Sequence, residues 1–356
     1  MRSTSMNDEP AVQVFKGRVQ QAVEIAERVG LLRALGPLHD HRHTALTVLA
    51  YHRVMPTDAL SVYPFDPELI SATPAQFESH MACIRHYANP VSLDQIRAQL
   101  DGEASLPPRA VAVTFDDGFE DTYRYAFPIL KRHEIPATVF VATGYVDSGE
   151  PFWFELAAYL VYRVDPFDLH VGTDGIRLPS GPSIPERTRS LRLVHDILKR
   201  LPNAQRLSLL SDWAHRFAPQ IAHGAVGVGR PMSWAQVREM ATAGIAFGSH
   251  SVTHPNLTQI TDRDLEWELG ESKRVIEEKL QREVRALAYP IGNRDSFDAR
   301  VIEATRRAGF ALGVSYLPGA NALPGLDRFE LHRHGIGLGT SERYFRALIR
   351  LPSWIQ

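Results

Sequence analysis

Short apolar runs alternate with longer amphipathic segments over most of the chain. The apolar runs have the length of buried strands and fall at residues 46–50, 111–115, 137–142, 245–249, 284–289 and 310–315. Helical spacing or capping sequences between them predict helices at 73–88, from 92 onward, and at 122–133, 261–280 and 297–308. Alternation of this kind is typical of a parallel sheet with helices packed outside it.

The predicted strands fit a (β/α) barrel better than a nucleotide-binding open sheet. No glycine-rich phosphate loop follows any of them, which weakens the open-sheet alternative. The alternation stops between residues 147 and 232, where two helical segments predict an insertion that could cover the barrel mouth. We therefore predict an α/β protein with a barrel over 44–340, a helical insertion at 147–232 and a C-terminal helix at 341–356.

Residues 1–43 form a separate N-terminal extension in this interpretation. Residues 1–12 have the composition of a disordered tail, and residues 14–38 carry apolar positions at helical spacing. A helix packed on its own domain is the favoured interpretation. A helix that contacts a membrane surface or a partner is the alternative.

Composition excludes several classes of protein. The hydrophobic share of 44% and charged share of 22% are those of an ordinary globular protein, and a formal charge of −2 gives no reason to expect nucleic-acid binding. The single cysteine, Cys83, excludes an internal disulfide and a cysteine-based zinc site. No segment approaches the roughly 20 apolar residues of a membrane span, and the polar start of the chain lacks the apolar segment of a signal peptide. We expect a cytoplasmic protein.

An aspartate pair follows the predicted strand at 111–115. In the sequence TFDDG at 114–118, Asp116 and Asp117 leave the strand in different directions, and Gly118 permits an immediate turn. Two adjacent buried carboxylates repel each other unless a positive group lies beside them, and a bound cation is the usual one. The pair therefore indicates a candidate metal site.

Histidines follow two other predicted strands. His250 and His254 are four residues apart and can converge on one ion from a strand-to-helix loop, although fifteen histidines make such a spacing possible by chance. His52 follows the first strand and could be a general acid or a surface residue. Because catalytic groups gather where the carboxyl ends of parallel barrel strands meet, we expect these side chains to converge on the aspartate pair.

An irregular turn follows the strand at 284–289. Pro290 and Gly292 impose this turn, which could aim the amide of Tyr289 inward as an oxyanion donor. An ordinary turn is the alternative.

Four sequence motifs resemble those of a known family. TFDDG at 114–118 and SHSVTH at 249–254 resemble the first two motifs of the polysaccharide deacetylases, the enzymes of the NodB homology group and carbohydrate esterase family 4. YPIG at 289–292 resembles their third motif, and LAYHRV at 49–54 is similar to the branch that contains the poly-N-acetylglucosamine deacetylases. The resemblance extends from about residue 46 to residue 337 and implies a distorted (β/α) barrel with fewer than eight strands.

The resemblance also implies roles for individual residues. Asp117, His250 and His254 would hold a divalent metal, most often zinc, with nickel, cobalt or manganese as substitutes. Asp116 would be the general base and His52 the general acid.

The chain departs from the family pattern at two places. The late Leu-x-His motif is irregular in the sequence LHRH at 331–334, which makes His332 the alternative general acid. Ala288 stands where an arginine usually precedes the third motif, so the motifs do not identify the group that holds Asp116.

The resemblance implies a reaction and two alternatives. The implied reaction is hydrolysis of the acetamide of an N-acetylated amino sugar in a glycan or glycoconjugate, with release of acetate. One alternative is deacylation of a small or lipid-linked N-acyl amino sugar or another non-peptide amide, and the other is a catalytically inactive carbohydrate-binding barrel. Aromatic side chains that could stack on a sugar, or pack the insertion on the barrel, are Phe152, Trp153, Phe154 and Trp234.

Overall fold

The structure is a computed structural model that describes residues 45–352, apart from 61–62, 64, 164–167, 172–173, 178–183, 218–228 and 324. The predicted N-terminal extension at 1–43, with its helix at 14–38, lies outside the described residues. No helix in the described part of the chain combines the length and apolar character that are needed to cross a bilayer.

Strands and helices alternate in chain order. The strands are β1 Ala45–Tyr51, β2 Arg53–Val54, β3 Ile70–Ala72, β4 Asn89–Pro90, β5 Ala110–Phe115, β6 Ala137–Val141, β7 Asp168–Val171, β8 Asp174–Arg177, β9 Ala246–Ser249, β10 Ala286–Ala288, β11 Leu312–Val314, β12 Asn321–Ala322 and β13 His334–Gly335. The helices are α1 Thr57–Leu60, α2 Pro74–Tyr87, α3 Leu93–Leu100, α4 Phe127–His133, α5 Thr143–Ser148, α6 Trp153–Arg163, α7 Ile184–Arg200, α8 Asn203–Arg216, α9 Trp234–Thr242, α10 Asp262–Leu280, α11 Ala299–Arg307 and α12 Glu342–Arg350. All six strands predicted from apolar runs are confirmed, with boundaries that differ by up to two residues.

One sheet positions the polar clusters. Its strands run in the order β11-β10-β9-β6-β5-β1-β12, with β4 paired to β5 and β13 paired to β1. The pairs are parallel except for β12, which is antiparallel to β1. The sheet curls into a half-barrel with helices outside, which confirms the predicted distorted (β/α) barrel.

The pairing register aligns the carboxyl ends of neighbouring strands. Tyr51 pairs with Phe115, and Val141 pairs with Ser249. His52 directly follows β1, Asp116 follows β5 and His250 follows β9, so these side chains lie at the same edge of the sheet.

Local capping sequences set the starts of two outer helices. Thr73 and Ser92 each accept a hydrogen bond from the backbone of a glutamine three residues on, and the glutamine side chain accepts one from the backbone N–H of the capping residue. Both capping signals read from the sequence are therefore confirmed.

The insertion at 147–232 contains more structure than the sequence predicts. Besides the two expected helices, α7 and α8, it holds α6 and the β7–β8 hairpin. Most side chains of α6 are buried, so its sequence lacks the one-sided apolar stripe that identifies a surface helix. Its aromatic side chains pack in one cluster with Phe65, Phe119 and Ala142 of the barrel, which places the insertion on the carboxyl edge of the sheet.

Buried neutral histidines make the fold sensitive to acid. Burial lowers the pKa of His80 to about 4 from 6.5, and its ring stacks on Phe345 at 3.9 Å between centroids. Burial likewise lowers the pKa of His334 to about 4 and that of His195 to about 3. The unfolded chain takes up these protons near pH 6.5 while the folded chain does not, so stability is lost as pH falls from about 6.5 toward 4.

We expect the urea midpoint to drop between pH 7 and pH 5 in the presence of a chelator. The corresponding drop in the free energy of unfolding should be smaller by roughly 2 kcal/mol in His80→Gln, because this is the free energy of proton uptake by one unfolded histidine between pH 7 and pH 5. The exposed His215→Gln is the matched control and should keep the wild-type dependence. An unchanged pH dependence in His80→Gln would contradict the assignment.

Candidate active site

The aspartate pair makes a tight turn at the end of β5. Asp117 has a φ of 72° and Gly118 a φ of 83°, both in the left-handed region. A Cβ on Gly118 would lie 2.7 Å from Cγ1 of Val141, so only glycine fits. Both carboxylates are buried, with exposed fractions of 2% for Asp116 and 1% for Asp117.

Asp117 lies beside the two histidines of the loop that follows β9. Its Oδ1 atom is 3.5 Å from Nε2 of His250 and 3.4 Å from Nε2 of His254. One ligand atom from each of the three residues lies within 4.8 Å of the others, and all three residues are buried. Sequence reasoning placed these residues in one group, and the fold brings them together.

The three residues fit a divalent metal. Oδ1 of Asp117 is buried without a hydrogen-bond partner in the described part of the chain. Burial and the neighbouring charge of Asp116 raise the pKa of Asp117 well above its usual range, so a cation is needed to keep it ionised. Burial lowers the pKa of both His250 and His254, which leaves the imidazoles neutral and able to bind a metal.

Hydrogen bonds hold the histidine loop in shape. Nδ1 of His250 lies 2.8 Å from the carbonyl oxygen of Ala288, which as an acceptor requires the proton on Nδ1 and leaves Nε2 free. The buried carboxylate of Glu268 accepts hydrogen bonds from the backbone N–H of Val252 (2.7 Å) and Thr253 (2.9 Å). The loop is therefore held from β10 and from α10.

Arg333 holds Asp116. Nη1 and Nη2 of Arg333 donate to Oδ1 and Oδ2 of Asp116, both at 2.7 Å, in a bidentate pair. Nε of Arg333 donates to the carbonyl oxygen of Ser315 at 2.7 Å. Burial alone would raise the pKa of Asp116, but the Arg333 guanidinium outweighs it and holds the pKa well below the usual range. Asp116 is thus ionised and free of the metal cluster.

Sequence reasoning missed Arg333. The residue lies between two histidines in the sequence LHRH at 331–334, where the family motif points to His332. Arg333 is 1% exposed and lies two residues after the fully buried Leu331. A buried arginine indicates a buried ion pair, but the sequence alone does not show that this arginine is buried.

His52 faces the same cavity as the aspartates. Its ring centroid lies 5.5 Å from that of Tyr316, and its backbone N–H donates to Oγ of Ser71 at 2.8 Å. Burial lowers the pKa of His52 to about 4, against the opposing effect of the Asp116 charge. His332 is not among the described residues that line the cavity, and its Nε2 lies 3.5 Å from Oε1 of Glu330. Of the two candidate histidines, His52 therefore lies in the cavity beside the aspartates.

The structure contradicts the expected role of the Tyr289 amide. This N–H donates to the carbonyl oxygen of Val314 at 3.1 Å, so it is engaged in the sheet and is not a free oxyanion donor. The Tyr289 hydroxyl donates to the carbonyl oxygen of Phe329 at 2.9 Å. Pro290 and Gly292 do form the predicted irregular turn, with a 2.7 Å hydrogen bond from Gly292 N–H to the Pro290 carbonyl oxygen.

A cavity of about 450 Å³ connects the cluster to the insertion. The barrel contributes His52, the two aspartates, His250 and His254, together with Tyr289, Ile291 and Tyr316. The rest of the lining comes from the insertion and from the segment before β3, namely Asp66, Glu68, Leu69, Trp153, Phe154, Arg192, His195, Asp196 and Lys199. Phe152 is fully buried, and Trp234 donates to Asp147 away from the described cavity wall. Of the four predicted aromatics, Trp153 and Phe154 therefore reach the site.

A parallel half-barrel with an Asp-His-His cluster and a separate ionised aspartate at its carboxyl edge has the architecture of a deacetylase of the NodB homology group. Residues 103–313 match the family model described as polysaccharide deacetylase, and the chain belongs to that family.

Individual relatives agree with this family. A provisionally named polysaccharide deacetylase of Bacillus subtilis (strain 168) is 21% identical over 305 residues, which are 85% of this chain and 76% of that protein. A poly-beta-1,6-N-acetyl-D-glucosamine N-deacetylase of Staphylococcus aureus (strain MSSA476) is 33% identical over 113 residues, which are 30% of this chain and 39% of that protein. The structure of the Streptococcus pyogenes deacetylase PplD in complex with acetate superposes with a TM-score of 0.56 at 19% identity, covering 85% of this chain and 96% of that one. This superposition supports the fold.

Proposed function

We propose that the protein is a metal-dependent deacetylase that hydrolyses the acetamide of an N-acetylated amino sugar in a glycan or glycoconjugate and releases acetate. The observation that carries the proposal is the buried Asp117-His250-His254 cluster beside an ionised Asp116 that Arg333 holds apart from it. Two histidines and one carboxylate suit zinc, and nickel, cobalt or manganese could take its place.

Asp117, His250 and His254 would hold the metal. When bound there, a divalent cation would polarise the acetamide oxygen and make a water molecule more acidic. Asp116 can accept a proton from water, because Arg333 keeps its carboxylate ionised. A neutral imidazole at His52 can in turn pass a proton to the departing amine once it has received one.

The protons balance without an external acid. Hydrolysis takes one proton from the attacking water and adds one to the amine nitrogen, so Asp116 and His52 can handle the same proton in sequence. A pKa of about 4 for His52 means that it is neutral at pH 7 before the reaction. The backbone N–H of Asp116 donates to the carbonyl oxygen of Tyr51 at 2.9 Å, which places Asp116 beside His52, the residue after Tyr51. This arrangement suits the transfer of a proton between the two side chains.

The size of the cavity supports a second substrate class. A cavity of about 450 Å³ has the size of a site for a small molecule, and residues of α7 are part of its lining. A small or lipid-linked N-acyl amino sugar is therefore the alternative to an extended polymer such as the one in the name of the Staphylococcus aureus relative. A carbohydrate-binding barrel without catalysis fits less well, because the complete metal cluster and the ionised base would then have no use.

Acetate release from a substrate panel tests the proposal. The panel contains N-acetylglucosamine oligomers, an N-acetylated nucleotide sugar and a polyprenyl-linked N-acetyl sugar, each with zinc-loaded protein. We expect acetate from at least one substrate, loss of release on chelation and recovery when zinc is added back. No acetate from any substrate despite stoichiometric zinc would reject the deacetylase, and release that survives complete metal removal would reject the metal dependence.

A further inference from the structure

The insertion makes direct hydrogen bonds to the backbone of a metal-cluster residue. The carbonyl oxygen of His254 accepts a hydrogen bond from Nε1 of Trp153 at 2.9 Å and from Nη1 of Arg206 at 3.1 Å. Trp153 begins α6 and Arg206 belongs to α8, so both donors come from the insertion. His254 itself has a φ of 53°, a left-handed conformation that a non-glycine residue adopts only when its surroundings hold it there.

Arg206 is a buried residue whose side chain is held in place by its contacts. It is 2% exposed, and no carboxylate lies within ion-pair distance of it in the described part of the chain. Its guanidinium lies 5.2 Å from the centre of the Trp153 ring, and Nη2 donates to Oδ1 of Asn203 at 2.7 Å. A buried guanidinium needs hydrogen-bond acceptors, and among the described residues these are the side-chain oxygen of Asn203 and the carbonyl oxygen of His254.

Aromatic side chains of the insertion also contact the imidazole. The ring of Phe154 lies 5.2 Å from that of His254 at an interplanar angle of 62°, and the ring of Trp153 lies 6.4 Å away. His250 is held differently, since its Nδ1 bonds to the carbonyl oxygen of Ala288 in the barrel. One histidine of the cluster is therefore oriented by the barrel and the other by the insertion.

We propose that the insertion is a structural part of the metal centre, in which Trp153 and Arg206 are positioning residues that hold His254 for metal binding. This inference rests on the proposed metal-dependent function. Groups that orient a metal ligand typically change metal affinity by about 10- to 100-fold when they are removed. Metal affinity should therefore depend on two residues that lie 48 and 101 positions away from His254 in the sequence.

Zinc affinity of the metal-free protein tests the inference without any assay of activity. Trp153→Phe removes the Nε1–H donor and keeps an aromatic ring, and Arg206→Met removes the guanidinium and keeps a side chain of similar length. We expect each variant to bind zinc about 10-fold more weakly than wild type in competition with a chromophoric chelator. The absorption bands of the cobalt-substituted variants should shift, which reports a change in ligand geometry that a general loss of stability would not cause.

Arg187→Met is the matched control. Arg187 donates to the carbonyl oxygens of Val161 and Tyr162 at 3.1 Å and 2.7 Å, and both of these contacts lie within the insertion. This variant should lower the thermal midpoint of the metal-free protein yet keep the wild-type zinc affinity and cobalt spectrum. Arg206→Lys, which keeps one cationic donor, should recover part of the affinity.

The outcomes separate this inference from the proposed function. Wild-type zinc affinity in Trp153→Phe and Arg206→Met would overturn the proposed role of the insertion but not the proposed deacetylase function. An equal loss of zinc affinity in Arg187→Met would have the same consequence. A wild-type protein that binds zinc but releases no acetate would overturn the proposed deacetylase and leave this inference standing. A wild-type protein that binds no divalent metal would overturn both.

Discussion

Replacing Arg333 with methionine is expected to lower acetate release at pH 7 by about 10²- to 10⁴-fold, the usual contribution of a general base. Without the guanidinium, burial of Asp116 would be opposed much less strongly, so its pKa would rise and a smaller fraction of the carboxyl would be ionised at neutral pH. In wild type the pKa of Asp116 lies well below that range, so the base stays ionised down to acidic pH. In Arg333→Met the carboxyl ionises only as pH rises, so the activity should recover toward alkaline pH.

The pH profile of kcat/KM distinguishes this effect from simple damage. Arg333→Met should move the acidic limb of the profile to higher pH, and Arg333→Lys should lie between it and wild type because lysine keeps the charge without the bidentate geometry. Asp116→Asn should be inactive at every pH. A profile of wild-type shape that is merely scaled down in Arg333→Met would contradict the assignment.

Stability must be followed alongside activity in this series. Removing one partner of a buried ion pair destabilises a protein by about 3–5 kcal/mol, so each variant should be checked for a cooperative thermal transition before its kinetics are interpreted. Arg285→Met is the matched control, because Arg285 pairs with Glu283 and Asp94 on the surface. It should retain wild-type activity, pH profile and fold.

Replacing His52 with alanine is expected to lower acetate release from an N-acetyl sugar by about 10²- to 10⁴-fold, because the departing amine would lose its proton donor. An aryl acetate ester has a leaving group that needs no proton, so His52→Ala should hydrolyse it nearly as fast as wild type. The metal content of the variant should stay unchanged, since His52 is not part of the Asp117-His250-His254 cluster.

His332→Ala is the matched control for this prediction. His332 lies outside the described cavity wall, so its removal should leave both amide and ester hydrolysis close to wild type. Equal losses on amide and ester in His52→Ala would mean that His52 positions other groups and does not donate the proton. A large loss in His332→Ala on the amide alone would transfer that role to His332.

Much of the fold was predictable from short stretches of sequence. The apolar runs identified the strands of the half-barrel, and the capping sequences at Thr73 and Ser92 identified two helix starts, because strand burial and helix capping depend on residues close in the chain. The missed helix α6 is buried on most sides, so the pattern that reveals a surface helix is lacking there. Its burial depends on contacts with the barrel.

The candidate site likewise contains residues that were predictable from the sequence and contacts that were not. Asp116, Asp117, His250 and His254 were recognisable because each follows a predicted strand, and parallel strands bring their carboxyl ends together. The Tyr289 amide was misjudged because its partner, the Val314 carbonyl oxygen, lies on the neighbouring strand β11. A turn sequence predicts the local backbone geometry, but it does not predict which backbone groups form hydrogen bonds with the adjacent strand.

The residues of this protein's own sequence are enough to determine the strand-end chemistry: a carboxylate pair, a histidine pair four residues apart and a parallel sheet that joins them. Only the tertiary structure decided how each group is held. Arg333 reaches Asp116 across 217 positions, and Trp153 and Arg206 reach His254 across 101 and 48. Contacts at such separations depend on how the helices and the insertion pack on the sheet, and they leave no periodic or local signal in the sequence.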